Sequence, residues 1–219
     1  MKTEPFSFQS QLRERFNRSE LNENSVAENP FVQFALWLDE AKQTGIFPFP
    51  NTFSLCTVGK DNSPSSRIVL MRRQTEEGIL FYTQYGSRKA NDISHNPEVC
   101  ANFYWPVVER QIQIAGLCSK ISEAEADTGF RELSRENQLS AWASLQSEEV
   151  RHMDELEEKF NGFAKLFNAR EIPRPSRWGG FLIEPHTFEF WQFRPMHFND
   201  RIRYKQTKDR SWKIQRVAP

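Results

Sequence analysis

Three consecutive side chains, Ser87, Arg88 and Lys89, stand where the strand-like run "ILFYTQ" ends and a helix begins, within "FYTQYGSRKANDISHNP" at residues 81–97. Two cations sit badly at a helix start, whose unpaired N–H groups already carry partial positive charge. An anion held there removes the conflict, because backbone N–H groups, a hydroxyl and both cations converge on one charge. Phosphate suits that donor set. Taken singly, the same three residues also describe an ordinary solvated helix start.

Other chemistry is poorly supported. The histidines His95, His152, His186 and His197 form no HExxH or HxxxH pattern, and no cysteine stands at ligand spacing from them, so no metal site is expected. Cys56, Cys100 and Cys118 are odd in number, far apart and flanked by apolar residues, and are expected as reduced core thiols. The 219 residues carry 29 basic and 29 acidic side chains, a balance that offers nothing to a nucleic acid. Apolar runs are short and the first thirty residues are charged throughout. No membrane partner is expected, and the expected location is the cytoplasm.

The elements that must position the cations follow from periodicity. Residues 1–28 are polar and are expected as a mobile N-terminal arm, followed by a single domain over 29–219. Asn29 suits an N-cap, Pro30 the first helical position, and Phe31, Phe34, Ala35, Leu38 and Ala41 recur at helical spacing up to Gly45. Strand signals follow at 52–58, 65–73 and 79–84, then in "EVCANFYWP" and "ERQIQIAGLCSKIS", where Gln111 and Gln113 alternate with Ile112 and Ile114. Helices are expected at about 122–133, 137–145 and 148–167. After the Pro-rich link "EIPRPSR" come "WGGFLIEP", "TFEFWQF", "DRIRYKQ" and "SWKIQRVAP" as closing strands. Strands on both sides of a helical middle indicate an α+β fold.

Eight blocks in order carry a resemblance over nearly the whole chain: "SSRIVLMR", "FYTQYGSRKANDISHNP", "FYWPVVERQIQIAG", "LSAWASLQS", "PRPSRWGGF", "EFWQ", "NDRIRY" and "WKIQRVAP". Together they resemble the pyridoxamine 5′-phosphate oxidase family of flavin enzymes. The resemblance implies an FMN-binding split β-barrel, mostly antiparallel with flanking helices, and a homodimer with FMN at the subunit interface. It places the FMN phosphate at Arg67, Ser87, Arg88 and Lys89. The backbone of Ile68, Val69 and Leu70, with Tyr82 and Thr83, is implied to line the flavin. Gln111 is implied to meet the ring from the same subunit, and Gln146, Ser147, Trp191 and Arg201 from the partner. Such donors suit a dianionic phosphate and the negative charge of reduced flavin.

On the substrate side the chain departs from the family. The usual Trp-Gln-Gly and Arg-Leu-His-Asp-Arg become "WQFRPMHFNDR", with His197 in place of an Arg and Asn199 in place of a His. The family cradles its substrate phosphate with Lys, Tyr, Arg and Ser, where this chain has Arg72, Gly129, Leu133 and Asn137. An Arg-x-x-Tyr pattern in the arm becomes Arg13 to Phe16. Losing an Arg and a Tyr contact costs about 3–6 kcal/mol at roughly 1.5–3 kcal/mol for each bond to a charged group. Arg131, Arg135 and Arg194 are the cations that could replace them. The expected function is an FMN-dependent oxidase that passes a hydride from a small ring to FMN and electrons to O2, giving H2O2, with Arg72, Asn137, His197 and Asn199 facing an altered substrate. The alternatives are an authentic pyridoxine/pyridoxamine 5′-phosphate oxidase, and a non-catalytic flavin- or vitamer-binding protein.

Overall fold

The computed structural model describes residues 11, 20–194 and 198–219. Strands β1 (Thr52–Val58), β2 (Pro64–Gln74) and β3 (Ile79–Gln84) form an antiparallel meander. On the other side of β1 lie β4 (Glu98–Trp105), β5 (Arg110–Lys120) and β6 (Trp178–Gln192), each paired with the one before. Pairing of β3 with β6 closes these six strands into a barrel, and β7 (Asp200–Gln206) and β8 (Trp212–Arg216) continue the sheet beyond β6. Helices α1 (Pro30–Gln43), α2 (Arg88–His95), α3 (Glu123–Arg131), α4 (Arg135–Ala143) and α5 (Met153–Leu166) flank it. This is the expected α+β split barrel.

Strand β6 serves two neighbours along one edge. Its residues 178–183 pair with β3, and residues 187–192 with β7. The sequence reading divides this stretch into two strands at Pro185, whereas the chain stays in one bent strand. Proline gives the ladder no N–H, and the opposing register slips between Ala115 and Gly116. A Cβ at Gly116 would lie 2.2 Å from the Glu184 carbonyl oxygen, so the close approach requires glycine.

The barrel interior is aromatic. Helix α1, capped by Asn29 Oδ1 on the Phe31 N–H, lays Phe34, Trp37, Leu38 and Ala41 onto it. Phe34 meets Phe103 edge-on at 5.0 Å, Phe103 tilts against Phe53 at 5.1 Å, and Trp37 meets Phe190 at 5.2 Å. A second cluster joins Phe130, Leu139, Ile172 and Trp178 to Tyr82, Leu133, Phe160 and Phe163, and so seats α3, α4 and α5 beside β3. Helix α5 begins at Met153 rather than about residue 148, and Val150 is exposed.

Two other expectations are corrected. The stretch 20–28, counted with the mobile arm, is docked: Leu21 is buried, its N–H donates to Asp200 Oδ2, and Tyr204 donates to the Ala27 carbonyl at 2.7 Å. Residues 13 and 16 of the arm lie outside the described residues. Cys118 is a core thiol, but Cys56 and Cys100 point outward from opposite positions on β1 and β4 and are half-exposed. The three cysteines are free thiols.

Because Phe103 is fully buried between two aromatic partners, Phe103→Ala is expected to lower the unfolding free energy by about 3–5 kcal/mol. Urea denaturation at unchanged m-value checks this.

Candidate active site

A cavity of about 530 Å³ opens on the outer face of β2 and β3. Ser65 to Leu70 of β2 form one wall, Tyr82 and Thr83 of β3 another, Arg88 and Lys89 stand at the start of α2, and Gln146 and Ser147 close the side. Ser87, the N-cap of α2, makes no side-chain cap; its hydroxyl turns back to donate to the Gln84 carbonyl at 2.7 Å. The Arg88 N–H instead meets Ser147 Oγ at 3.2 Å. Ser147 holds φ +76°, a left-handed conformation that non-glycine residues keep only where neighbours enforce it.

Lys89 is the buried charge of the site, with 7% of its surface exposed. Its ammonium donates to Gln146 Oε1 at 2.8 Å, Thr83 Oγ1 at 3.1 Å and Ser87 Oγ at 3.4 Å, all neutral oxygens. Burial, and then the neighbouring Arg67 charge, push its pKa down to about 8. Burial likewise lowers the Arg67 pKa, against the opposing pull of Asp92. A dianion between these cations would supply the missing partner. The loop that completes the site is pinned by Gln84, whose amide donates to the Ser144 carbonyl at 2.7 Å and whose Oε1 accepts from the Gln146 N–H at 3.1 Å.

Gln146 and Ser147 therefore belong to the cavity of their own chain, which corrects their assignment to the partner. Gln111, Trp191 and Arg201 do not line that cavity. They form one row across β5, β6 and β7, Gln111 opposite Trp191 and Trp191 opposite Arg201. Gln111, expected in its own subunit's site, thus shares a face with the two residues expected from the partner. Buried Glu189 fixes the end of the row: Oε1 accepts from Arg201 Nε at 2.9 Å, and Oε2 accepts from Arg203 Nη2 at 2.8 Å. Burial opposes ionisation of Glu189, and the two guanidinium groups outweigh it, leaving its carboxyl below the usual range.

The substrate-side residues are more scattered. Arg72 is the extra residue of a bulge between Met71 and Arg73, and its guanidinium carbon lies 5.9 Å from the centre of the Tyr82 ring. Tyr82 leans on Trp178 at 4.8 Å and covers Gly129, where a Cβ would fall 2.0 Å from the phenol oxygen. Leu133 joins the same apolar cluster. Asn137 is exposed on the first turn of α4, and Asn199 Oδ1 accepts from the Arg194 N–H at 3.2 Å. His197 lies outside the described residues. Among the described residues no cluster of His, Cys, Asp or Glu could hold a metal, and no helix is long and apolar enough to cross a membrane.

The donor set fits a flavin phosphate. It supplies two side-chain cations beside a third at a helix start, with an aromatic wall next to them. Closed six-stranded barrel and anion cradle together define the class of flavin-binding split-barrel proteins. The chain belongs to the pyridoxamine 5′-phosphate oxidase family, and is thereby an oxidoreductase: residues 39–164 match the family's oxidase profile and residues 178–219 its C-terminal dimerisation region. It is 41% identical to the pyridoxine/pyridoxamine 5′-phosphate oxidase of Cupriavidus metallidurans, over 95% of this chain and 97% of that one. It is 40% identical to the enzyme of the same name from Bordetella pertussis, over 96% and 99%. Among solved structures it is similar to PhzG of Burkholderia lata, in complex with tetrahydrophenazine-1-carboxylic acid. That match has a TM-score of 0.85 and 26% identity, over 92% of this chain and 98% of that one. An FMN-binding protein of Nostoc punctiforme shares the fold, with a TM-score of 0.71 and 17% identity over 89% and 100%.

Since a phosphate dianion pairs with the ammonium form of Lys89, FMN affinity is expected to be flat from pH 7 to about 8 and to fall as the pH rises further. Lys89→Met is expected to lower affinity by one to two decades, for a charged bond of about 1.5–3 kcal/mol, and to flatten the profile. Flavin-fluorescence titrations between pH 7 and 9.5 measure both.

Proposed function

We propose that this chain is an FMN-dependent oxidase, a cytoplasmic homodimer with FMN at the subunit interface, acting on a small planar ring other than the phosphorylated B6 vitamers. Arg67, Arg88 and Lys89 hold the FMN phosphate, with Ser87, Thr83, Gln146 and Ser147 ordering them. Ile68 to Leu70 and Tyr82 line the flavin. The row Gln111, Trp191 and Arg201 faces the cavity of the other copy. When bound, FMN supplies the electron sink, taking a hydride from the ring and reducing O2 to H2O2. Water exclusion and orientation of the ring fall to the protein.

One observation carries the altered substrate. Where the family keeps Tyr and Arg for a substrate phosphate, Gly129 lies under the Tyr82 phenol and Leu133 packs into an apolar cluster. Two of the spare arginines are engaged elsewhere. Arg135 donates to the Phe167 and Arg170 carbonyls, and Arg194 to Asp200. Arg131 donates to Thr128 within its own turn. Arg72 remains as a single cation beside Tyr82, one charge where a phosphate dianion would take two and a carboxylate one. Asn137, His197 and Asn199 are the other substrate-side residues. The carboxylated ring bound to PhzG supports the same direction.

The second reading is an authentic pyridoxine/pyridoxamine 5′-phosphate oxidase, favoured by the 40–41% identity to enzymes of that name and by Arg72. Oxygen consumption and peroxide release by the FMN-loaded protein separate the two. The proposal expects turnover of a reduced, carboxylated ring such as tetrahydrophenazine-1-carboxylic acid. It also expects no saturation by pyridoxine or pyridoxamine 5′-phosphate below millimolar concentration. Saturable turnover of either vitamer at micromolar concentration overturns it in favour of the second reading.

A further inference from the structure

Buried Asp92, one turn beyond Lys89 on α2, does not line the cavity, yet it is tied to it from behind. Its Oδ2 accepts from Thr57 Oγ1 at 2.6 Å and from Ser65 Oγ at 3.0 Å, two hydroxyls that face each other across β1 and β2. The same hydroxyl oxygens accept from Arg67, Thr57 from Nη1 at 2.7 Å and Ser65 from Nη2 at 2.5 Å. A further bond runs from Arg67 Nη1 to the Leu55 carbonyl at 3.2 Å, while Nη2 stands 3.9 Å from the Asp92 carboxylate. An ionised carboxylate only accepts, so both hydroxyls must donate to it and turn their lone pairs to the guanidinium. The direction of the whole relay is thereby set by one charge.

We infer that Asp92 is a positioning residue for phosphate recognition: through Thr57 and Ser65 it orients Arg67 toward a phosphate monoester dianion and locks Arg67 to the helix that carries Lys89. The inference rests on the reading of the cavity as the FMN phosphate site. It also accounts for a charge balance, since Arg67, Arg88 and Lys89 less Asp92 leave +2 facing a dianion. Lys89 has only neutral partners, so Asp92 compensates one cation, Arg67, and leaves the charge of the other two for the ligand. Guanidinium placement of this kind matters because bidentate pairing with phosphate demands a fixed plane.

The test compares FMN with riboflavin, which lacks the phosphate, by fluorescence titration of the ligand-free protein and its Asp92→Ala and Asp92→Asn variants. Asp92→Ala is expected to weaken FMN at least tenfold while riboflavin affinity stays within twofold. The near-isosteric Asp92→Asn keeps one acceptor oxygen and is expected to fall between wild type and Asp92→Ala for FMN, again with riboflavin unchanged. If Asp92→Ala does not fold, Asp92→Asn alone decides. Unchanged FMN affinity in the variants, or parallel loss of riboflavin, overturns the positioning role. Wild-type protein that does not bind FMN more tightly than riboflavin overturns the phosphate site itself.

Discussion

A lysine ammonium taken out of water and given only neutral oxygens is costly, and the region around Lys89 is organised by that cost. Burial and the Arg67 charge both act against its protonation. Thr83, Ser87 and Gln146 soften the penalty without cancelling the charge. A site so built is most stable when an anion occupies it, so folding and ligand binding favour the same arrangement. The neighbouring features serve that centre: Gln84 pins the loop of Gln146, Ser147 adopts a left-handed conformation beside the Arg88 N–H, and Asp92 stands behind Arg67.

The barrel supplies rigidity where the site needs it. Arg67 on β2 and Thr83 on β3 lie on strands paired on both edges, because β3 meets β6 and closes the sheet. Two local departures from regularity have functional placement. The bulge at Arg72 re-aims a cation toward Tyr82, and the bend of β6 at Pro185 lets one strand leave the barrel to carry Trp191 beside Arg201. The row on β5, β6 and β7 lies apart from the cavity on β2 and β3, as the proposed sharing of one flavin between two copies requires, and the chain carries the family's C-terminal dimerisation region.

Much of this was legible in the sequence. Alternation and turn residues located β1 and β3 to the residue, and Asn29-Pro30 marked the start of α1, because caps and strand periodicity are local signals. The helix start at Ser87, Arg88 and Lys89 was legible for the same reason. Asp92 was not singled out, although its position three residues after Lys89 places it on a neighbouring face of the helix; its partners Thr57 and Ser65 come from other strands. Ser65 carried a signal, two residues before Arg67 on the same strand face. Gln146 and Ser147 were placed on the wrong subunit because only tertiary folding decides which chain a loop completes. The helix expected from 148 begins at Met153, beyond the turn that carries Gln146 and Ser147 to the cavity.

In this split barrel of the pyridoxamine 5′-phosphate oxidase family, Arg67, Arg88 and Lys89 line one cavity, while Gly129 lies under the Tyr82 phenol and Leu133 packs into an apolar cluster. The central claim is that Lys89 is held as a buried cation for a phosphate dianion. Selective ¹⁵N labelling of lysine, with the Lys89 Nζ resonance followed through a pH titration, tests it most directly. The account predicts a midpoint near pH 8 in the ligand-free protein that rises by more than one unit when FMN is bound. A midpoint unmoved by FMN would contradict it.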